Sequence, residues 1–440
     1  MLEDAGFEAW VVGGFVRDQL LGRESYDVDM ATDASWQDVQ RVCEAKGFST
    51  HETGVKHGTL TVVLSDATDE TIKHAIEVTT YRADGMYADG RHPDSVTFVR
   101  SIEEDLARRD FTVNALAYHP KRGMLDLFGG LEDMQRGIIR IVGEPKKRFA
   151  EDALRILRAC RFRSQLGFTI DAATYQAMLE CKHLLSKVSV ERVTSELDRF
   201  LQGAYVHDAL MSTVDVLSFV LPELVAMKDC PQVTPYHIYD VLEHTAWVIQ
   251  HTPPDRLTRW VALFHDMGKP AAAFFSTDGV EHFYGHAAVS MVIARGIMDR
   301  LLMSPKFKEQ ALVLIKRHDE VVEPNPRAVK RMLSRLDGNV ELFRKLCDIK
   351  RADALSQAPQ CAPRAELADE LKRVLDDVLA ADEAFTVRDL VINGSDVMAA
   401  GVPKGPPVGE ALAHALDAVI DGRIRNERDE LLEFIALECR

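Results

Sequence analysis

The sequence has little that would crosslink the chain or anchor it in a bilayer. Its seven cysteines are scattered singly, and no two form a C-x-x-C pair. This pattern suggests neither a disulfide framework nor a zinc knuckle, so we expect a reducing compartment. No apolar run approaches the roughly 20 residues of a membrane span, and no signal peptide precedes Trp10. We therefore expect a cytoplasmic protein with no membrane partner.

Positive charge is also scarce, because 53 Lys and Arg residues oppose 69 Asp and Glu residues and give a net charge of −16. Phosphate repels such a surface at long range, which argues against a protein that coats nucleic acid with its whole surface. Any contact with RNA must use a local basic patch. One segment has this character: residues 136–163 hold nine basic and three acidic residues.

Repeats, low-complexity tracts and coiled-coil heptads are absent as well, and the 440 residues are enough for about three domains with buried cores. The first predicted strand begins only a few residues after Met1, which is consistent with a missing helix upstream. From the motifs below we expect an elongated α+β chain of four domains. These are a mixed β-sheet head at 1–128, an all-α neck at 129–230, a metal-binding helical domain at 231–360 and a helical tail at 361–440.

The stretch Val11–Thr32 organises the first domain. An apolar run breaks at Gly13-Gly14, resumes with helical spacing and then turns into Asp27-Val-Asp29. Side chains alternate along a strand, so Asp27 and Asp29 should point the same way and offer two hard oxygen ligands to Mg²⁺. The bare N–H groups at Gly13-Gly14 suit an anion at a helix start. With Arg17 and Arg23 nearby, these groups predict a site for a nucleoside triphosphate and its magnesium.

Strands are predicted at Thr59–Leu64, Ala75–Tyr81 and Ser95–Val99, and a short amphipathic helix spans Trp36 to Cys43. Glu77 lies in the second of these strands. It is either a third carboxylate near the metals or a solvent-facing strand residue, and the pattern leaves both interpretations open. Residues 82–93 have no apolar period and predict a mobile loop.

Two basic clusters follow. Arg109 and Asp110 end an acidic helix; they either form a solvated helix face or grip phosphate and a ribose hydroxyl, respectively. The segment Glu151–Arg161 is predicted to be one apolar helix, on which steps of three place Asp152 beside Arg155 and Arg158 beside Arg161. Such a stripe is either an ion-pair ladder of little energy or a hydrogen-bonding edge that reads a base.

Histidines and carboxylates form a second constellation in the middle of the chain. A lone histidine is more often structural than a ligand. The doublet His265-Asp266 before Gly-Lys-Pro reverses this expectation, because another histidine lies upstream and an aspartate far downstream. Imidazoles with carboxylates suit Mn²⁺, Fe, Ni²⁺ or Mg²⁺. The candidates are His244, His265, Asp266, His286, His318 and Asp353.

These motifs resemble those of the bacterial CCA-adding tRNA nucleotidyltransferases, a class that also includes bacterial poly(A) polymerases. The motifs that carry the resemblance are Gly13-Gly-Phe-Val-Arg17-Asp18 with Asp27-Val-Asp29, Arg108-Arg-Asp110-Phe-Thr-Val-Asn114, Asp126-Leu-Phe-Gly-Gly130, Glu151-Asp152-x-x-Arg155 and Val190-Glu-Arg-x-x-x-Glu196. The end of the chain, with Leu390-Val-Ile-Asn-Gly394-Ser-Asp396, is similar to the family's tRNA-holding tail. The middle region resembles an HD-superfamily phosphohydrolase.

The resemblance implies specific roles. Asp27 and Asp29 would be the catalytic Mg²⁺ ligands. Contacts to triphosphate and ribose would come from Gly14, Arg17, Arg109 and Asp110, and base reading from Asp152 and Arg155 with Arg158 and Arg161. In the HD region, a divalent transition metal or Mg²⁺ would bind His244, His265, Asp266 and Asp353, and His286 and His318 look like the additional ligands of dinuclear members.

The implied reaction is metal-assisted transfer of nucleotides from CTP and ATP to the 3′ end of tRNA. Family members that add only CC look shortened at the loop that corresponds to 82–93, which here is full length and favours addition of the terminal A. Two alternatives stay open: an A-adding enzyme or poly(A) polymerase, and an HD phosphohydrolase acting on RNA ends as the principal activity. A non-catalytic RNA-binding protein is disfavoured, because binding alone has no need of paired metal carboxylates.

Overall fold

The computed structural model describes residues 1–65, 73–84, 96–277, 279–381 and 383–438. These residues form two compact units, Met1–Pro222 and Glu223–Arg440, and each is described by itself. The six cysteines of the described ranges are all unpaired. No helix within those ranges is long and apolar enough to cross a membrane.

Unit 1 is built on a seven-stranded mixed sheet with the order β3-β4-β5-β2-β1-β8-β9. Only β2 and β5 run parallel; the other neighbours are antiparallel. The strands of unit 1 are β1 (Ala9–Val12), β2 (Val28–Thr32), β3 (Ser49–Gly54), β4 (Thr59–Ser65), β5 (Lys73–Thr80), β6 (Arg82–Asp84), β7 (Val96–Phe98), β8 (Leu116–His119), β9 (Gly123–Asp126), β10 (Ile138–Ile139) and β11 (Thr169–Ile170). The predicted mixed-sheet head is therefore confirmed.

Alternation along the strands buries both faces of this sheet. On one face Leu60, Val62 and Val78 pack with the buried side of α2. On the other face Trp10, Val12 and their neighbours pack with Ile102 and Leu106 of α3. Since both faces are covered, the polar ends of the strands are the places where the sheet can present charged side chains.

Helices make up the remainder of unit 1, and α6 packs against both α8 and α9. They are α1 (Gly14–Leu20), α2 (Trp36–Glu44), α3 (Ile102–Ala107), α4 (Gly130–Gln135), α5 (Pro145–Glu151), α6 (Leu154–Leu166), α7 (Ala172–Cys181), α8 (Val190–Leu201) and α9 (Val206–Leu217). The expectation of an all-α neck at 129–230 needs a small correction. The two-residue strands β10 and β11 pair in parallel within this range.

Unit 2 is almost entirely helical. Its helices are α10 (Leu224–Met227), α11 (Val241–His251), α12 (Arg256–Phe264), α13 (Lys269–Ala272), α14 (His286–Arg300), α15 (Pro305–Arg317), α16 (Pro326–Arg335), α17 (Val340–Leu355), α18 (Ala362–Ala380), α19 (Gly394–Ala399), α20 (Pro406–Ile420) and α21 (Arg428–Glu438). One short antiparallel hairpin, β12 (Phe274–Phe275) and β13 (Glu281–His282), interrupts the helical series and was not predicted.

The predicted strands and helix of the head lie within one or two residues of β4, β5, β7 and α2. Strands β3, β8 and β9 were not predicted, and β6 occupies Arg82–Asp84 at the start of the segment predicted to be a loop. The predicted mobile loop at 82–93 lies mostly outside the described residues, which resume at 96. The division into four domains stays a prediction.

Candidate active site and metal centre

Three carboxylates meet at one end of the central strands of unit 1. Asp27 directly precedes β2, and Asp29 is the second residue of that strand. In the parallel pairing of β2 with β5, Asp29 lies opposite Glu77. Register partners on neighbouring strands share a face of the sheet, so these carboxylates are adjacent. All three line one cavity of about 890 Å³.

Burial raises the pKa of Asp29 to about 6, and the negative charges of Asp27 and Glu77 add to this effect while Arg109 opposes it. A carboxyl group with this pKa is poorly stabilised as an anion by its own surroundings. A hard divalent cation between the oxygens would remove the repulsion, and oxygen donors of this kind are what such cations take. The residues present therefore fit a divalent metal ion.

Gly13 allows the adjacent backbone to approach an arginine. Its φ is 74°, and a Cβ built on it would lie 2.8 Å from Nη1 of Arg109. A side chain at this position would be strained and would also collide with the guanidinium. Helix α1 begins at the next residue, Gly14, so its first N–H groups border the cavity that holds the carboxylates.

Arg17 and Arg109 are both held in place by carboxylates and an amide. Arg17 donates to Oδ1 of Asn114 at 2.6 Å and to Oδ1 of Asp18 at 2.9 Å. Arg109 donates to Oδ2 of the buried Asp105 at 3.1 Å. Fixed guanidinium groups lose little entropy when an anion binds, so both are suited to contact phosphate.

Asp110 is buried, and both of its carboxylate oxygens accept hydrogen bonds. It accepts hydrogen bonds from Nε of Arg158 at 2.7 Å, from the backbone N–H of Phe111 at 2.8 Å and from Nδ2 of Asn114 at 3.1 Å. Burial alone would raise the pKa of Asp110, but the charge of Arg158 and these hydrogen bonds outweigh it and hold the pKa well below its usual value. Asp110 is therefore an anion that anchors Arg158 at the wall of the cavity.

The prediction of one helix across Glu151–Arg161 was wrong. Helix α5 ends at Glu151, Asp152 is extended with φ −142° and ψ 103°, and α6 begins at Leu154. The carboxylate of Asp152 accepts from the backbone N–H of Leu154 at 3.1 Å, a local bond that competes with helix continuation. Its other oxygen accepts from Nη2 of Arg192 at 2.9 Å, so its partner is Arg192 and not Arg155 as predicted.

Arg155 is buried and held from behind by acceptors of its own. Its Nη1 donates to the carbonyl of Arg148 at 2.8 Å and to Glu151 at 3.0 Å, and its Nη2 donates to the carbonyl of Arg108 at 3.2 Å. Both Asp152 and Arg155 nevertheless line the cavity. Each is positioned by neighbours, so the pair can present fixed donors and acceptors without bonding to each other.

Phe162 is a residue that the sequence analysis missed. The guanidinium groups of Arg17, Arg158 and Arg161 lie 5.2, 5.5 and 4.2 Å from its ring centre. One aromatic ring is thus in contact with three cations. Its position between arginines on α6 was the available signal. Arg161 also forms a buried ion pair with Glu196 of α8, with 2.7 Å between Nε and Oε2.

Four histidines of unit 2 share one hydrogen-bonding pattern. His244, His265, His286 and His318 each direct Nδ1 to a backbone carbonyl, at 3.1, 2.7, 2.9 and 2.7 Å. Such a bond places the proton on Nδ1 and leaves Nε2 as the free lone pair. Four imidazoles are therefore oriented to offer Nε2 as a ligand.

These Nε2 atoms converge on Asp266. Its Oδ2 lies 3.4 Å from His244 and 3.1 Å from His265, and its Oδ1 lies 3.3 Å from His286 and 3.8 Å from His318. The ligand atoms of His244, His265 and Asp266 lie within 4.8 Å of one another, and so do those of Asp266, His286 and His318.

Three polar atoms at the centre of this cluster are buried without a hydrogen-bond partner among the described residues. In the part of the chain that the structure describes, Nε2 of His244, Nε2 of His265 and Oδ1 of Asp266 are buried and make no hydrogen bond. Unpaired buried polar atoms are costly, and a cation would satisfy all three. The donor set of imidazoles and carboxylates therefore fits one or two divalent metal ions.

Asp353 lies next to this cluster, with Oδ1 3.0 Å from Nε2 of His244. Nε2 of Gln357 contacts both carboxylate oxygens of Asp353, at 3.2 and 3.1 Å. Lys269 was predicted only as part of a motif; its Nζ lies 2.6 Å from Oδ2 of Asp266.

Gly268, which follows His265-Asp266 by two residues, has no room for a side chain. A Cβ on Gly268 would lie 2.4 Å from the carbonyl oxygen of His286 and 2.6 Å from the backbone nitrogen of Ser290. The backbone of this turn thus approaches α14 closely. That approach brings His286 to the same centre as Asp266.

In comparisons with known proteins, different family models match the region of the carboxylate cavity and the region of the histidine cluster. The Poly A polymerase head domain model matches residues 9–140, and the "Probable RNA and SrmB- binding site of polymerase A" model matches 167–227. The HD domain model matches residues 235–358, and a tRNA nucleotidyltransferase domain 2 model matches 331–435.

Full-length relatives decide the family. The CCA-adding enzyme of Leuconostoc mesenteroides is 33% identical over 98% of this chain and 93% of its own length. That of Geobacillus stearothermophilus is 34% identical over 99% of this chain and 94% of its own. The chain belongs to the family of CCA-adding enzymes. Members of this family are nucleotidyltransferases, so the predicted reaction class is confirmed.

Solved structures support the same assignment. The crystal structure of the Bacillus stearothermophilus CCA-adding enzyme in complex with CTP is 31% identical, has a TM-score of 0.72, and aligns with 100% of this chain and 95% of its own. The Thermotoga maritima CCA-adding enzyme complexed with tRNA-CCA aligns with 100% of this chain and 93% of its own, with a TM-score of 0.57. At 20% identity the second likeness concerns the fold alone.

Arg23 does not line the cavity of the carboxylates, and its Nη1 donates to the backbone carbonyl of Gln165 at 3.2 Å. The structure brings every other predicted residue of the nucleotidyltransferase site to this one cavity. Its lining includes Gly14, Arg17, Asp27, Asp29, Glu77, Arg109, Asp110, Asp152, Arg155, Arg158 and Arg161. Functional residues that the sequence analysis missed, besides Phe162, are the carboxylate Asp105 behind Arg109 and the amide Gln357 behind Asp353. Neither stands in a recognisable motif, and only packing reveals them.

Proposed function

We propose that this chain adds CCA to the 3′ end of tRNA, using CTP and ATP as nucleotide donors. The observation that carries the proposal is the cavity of about 890 Å³ in unit 1. It joins a carboxylate group, the start of α1 and a row of fixed guanidinium groups. Binding a triphosphate with its cation requires these three elements together.

Asp27 and Asp29, with Glu77 beside them, would hold Mg²⁺. When bound, a divalent cation supplies Lewis-acid activation of the attacking hydroxyl and charge neutralisation at the triphosphate. The protein contributes positioning. Gly14, Arg17 and Arg109 would bind the triphosphate, and Arg17 and Arg109 would balance the charge that develops as pyrophosphate leaves.

Asp110 is assigned to ribose recognition, and its bond to Arg158 fixes the orientation of its carboxylate. Base selection would use an acceptor on Asp152 and a donor on Arg155, which present a hydrogen-bonding edge like that of a complementary base. Arg158 and Arg161 would shape the same wall, because Phe162 and Glu196 hold them.

A product assay tests the proposal. Pure protein is incubated with tRNA lacking its 3′ CCA and with each labelled nucleotide in turn. We expect incorporation of two C residues from CTP, followed by one A from ATP. Incorporation of A alone on tRNA that ends in CC would indicate an A-adding enzyme, and a long A tract would indicate a poly(A) polymerase.

The full-length segment at 82–93 favours completion of CCA, although its residues 85–93 lie outside the described ranges. We also propose the division into four domains at 128, 230 and 360. A cytoplasmic location is proposed on the basis of the tRNA substrate.

A second candidate activity is a metal-dependent phosphohydrolase in the HD region, acting on 2′,3′-cyclic or 2′-phosphate RNA ends. The observation that favours it is the convergence of four Nε2 atoms on Asp266. His244, His265, Asp266 and Asp353 would hold one divalent transition metal or Mg²⁺, and His286 and His318 would hold another with Asp266. A bound cation would polarise a phosphoryl oxygen. Phosphate release from such an end by the metal-loaded chain is the test.

A further inference from the structure

Three aromatic rings form a cluster on the β12–β13 hairpin. Phe274 and His282 are register partners on the two strands, and their ring centres lie 5.5 Å apart. Tyr284 follows β13 and stacks on His282, with 5.1 Å between ring centres and 17° between planes. Tyr284 also lies 5.6 Å from Phe274. Each ring thus supports the others, which fixes the orientation of Tyr284.

This cluster is open to solvent, since Tyr284 is 75% exposed and Phe274 45%. Large aromatic side chains that pack on each other and yet remain exposed are unusual unless they meet a ligand. Tyr284 is also close to the histidine cluster. Tyr284 lines the cavity of about 560 Å³ that Asp266, His286, His318 and Asp353 line.

The rest of this cavity indicates the chemistry of its ligand. Lys269 and Arg364 supply positive charge, and Leu367, Ala368 and Leu371 supply an apolar wall. Cations and a metal-ligand cluster suit a phosphate group. An aromatic face suits a planar base, because base–aromatic stacking tolerates any base. The volume is within the range of cavities that take a ligand of nucleotide size.

We propose that Tyr284, supported by His282 and Phe274, is the base-stacking subsite for a nucleotide whose phosphate lies at the HD metal centre. The inference rests on the proposed phosphohydrolase function of that centre. The shared ligand chemistry is a phosphate ester next to a nucleobase. Its source is either a free mononucleotide or an RNA 3′ end, and the experiment distinguishes the two.

The hairpin provides a matched control. Phe275 is adjacent to Phe274 and 60% exposed, but alternation turns it to the opposite face of β12, where its register partner is Glu281. Phe275→Ala therefore removes an exposed ring of the same type without removing a ring of the cluster. Tyr284→Phe is the conservative variant, since it keeps the stacking face and loses only the hydroxyl.

Hydrolysis by the metal-loaded full chain is measured on adenosine 2′,3′-cyclic phosphate and on methyl riboside 2′,3′-cyclic phosphate, which has the same phosphate and no base. In both substrates water adds to phosphorus, one ribose oxygen leaves with a proton from that water, and a phosphomonoester results. We expect Tyr284→Ala to lower kcat/KM about tenfold on the adenosine compound, mainly through KM. Phe275→Ala and Tyr284→Phe should leave it unchanged.

The methyl riboside should respond to none of these variants. An equal loss on both substrates, no loss with Tyr284→Ala, or the same loss with Phe275→Ala would overturn the proposal. A trinucleotide with a 2′,3′-cyclic end is the third substrate. A much higher kcat/KM than for the mononucleotide identifies RNA ends as the source, and a similar or lower value identifies free nucleotides.

A binding measurement separates failure of the subsite from failure of the phosphohydrolase. If the wild type hydrolyses none of the three compounds, the phosphohydrolase proposal fails. The fluorescence of 2-aminopurine riboside 3′-phosphate is then titrated with each variant. Stacking quenches this probe, so additional quenching by the wild type and Phe275→Ala relative to Tyr284→Ala supports the subsite. Identical quenching by all of them overturns it.

Discussion

Arg192 of α8 donates a hydrogen bond across 2.9 Å to Asp152, which occupies the break between α5 and α6. Asp152 is the acceptor assigned to base reading. Its carboxylate is thus held from two directions, by a guanidinium 40 residues away in sequence and by the backbone N–H of Leu154. The orientation of the base-reading edge therefore depends on the packing of α8 against α6.

Arg192→Leu should reduce nucleotide discrimination more than catalysis, because Asp152 would lose the partner that fixes its second oxygen. We expect the ratio of kcat/KM for CTP over UTP to fall about tenfold, the size of one charged hydrogen bond. Steady-state incorporation on tRNA lacking its 3′ end measures this ratio. Arg199→Leu, on an exposed part of the same helix, is the control. Unchanged selectivity in Arg192→Leu would contradict the bracing role.

The buried ion pair of Arg161 and Glu196 joins α6 to α8, and both residues are less than a tenth exposed. Removing one partner leaves an uncompensated charge in the interior. We expect Glu196→Ala to lower the free energy of unfolding of unit 1 by about 3–5 kcal/mol. Chemical denaturation followed by circular dichroism measures it. Glu191→Ala, exposed on the same helix, should change stability by no more than about 0.5 kcal/mol.

Because of Asp110, we expect the free energy of unfolding of unit 1 to fall as the pH becomes acidic. Burial opposes its ionisation, but Arg158 and two other donors hold its pKa below the value of an unfolded chain. Its contribution is therefore full above the unfolded pKa of about 4 and is lost as pH falls below it. We expect the wild type to lose about 2 kcal/mol more than Asp110→Asn between pH 7 and pH 2. Parallel losses in the two proteins would show that the carboxylate is not stabilised by Arg158.

His265→Ala tests the metal centre of unit 2. Nε2 of His265 lies 3.1 Å from Asp266 and has no hydrogen bond among the described residues. We expect the variant to bind less divalent metal per chain after removal by a chelator and reloading, as measured by elemental analysis. His414→Ala, an exposed histidine on α20, should keep the full content. Equal metal content in the two variants would exclude His265 as a ligand.

Much of the head could be predicted because its signals are local. The alternation of Asp27 and Asp29 with Val28 predicts a shared face within three residues. Although β2 begins only at Val28, both aspartates line the same cavity. The polar strand β3 lacks such an alternation, since it is an exposed edge strand with the sequence STHETG. Its pairing with β4 is visible only when the whole sheet is assembled.

The arrangement of Asp152, Arg155, Arg158 and Arg161 along the cavity could not be predicted from their spacing in the sequence. The sequence around Asp152 is compatible with a continuous helix, and the break arises from competition by the side chain of Asp152 for a backbone N–H. The partners of Asp152 and Arg161 both come from α8, 40 and 35 residues away. Such partners depend on tertiary packing, which local periodicity does not encode.

The central claim is that the carboxylates of Asp27 and Asp29 carry nucleotidyl transfer in the cavity of unit 1. The most direct measurement is incorporation of labelled CTP and ATP into tRNA lacking its 3′ end by Asp27→Ala, with tRNA binding measured in parallel. The account predicts that incorporation is abolished while tRNA binding stays close to that of the unmodified protein. Turnover retained at the level of the unmodified protein would contradict it.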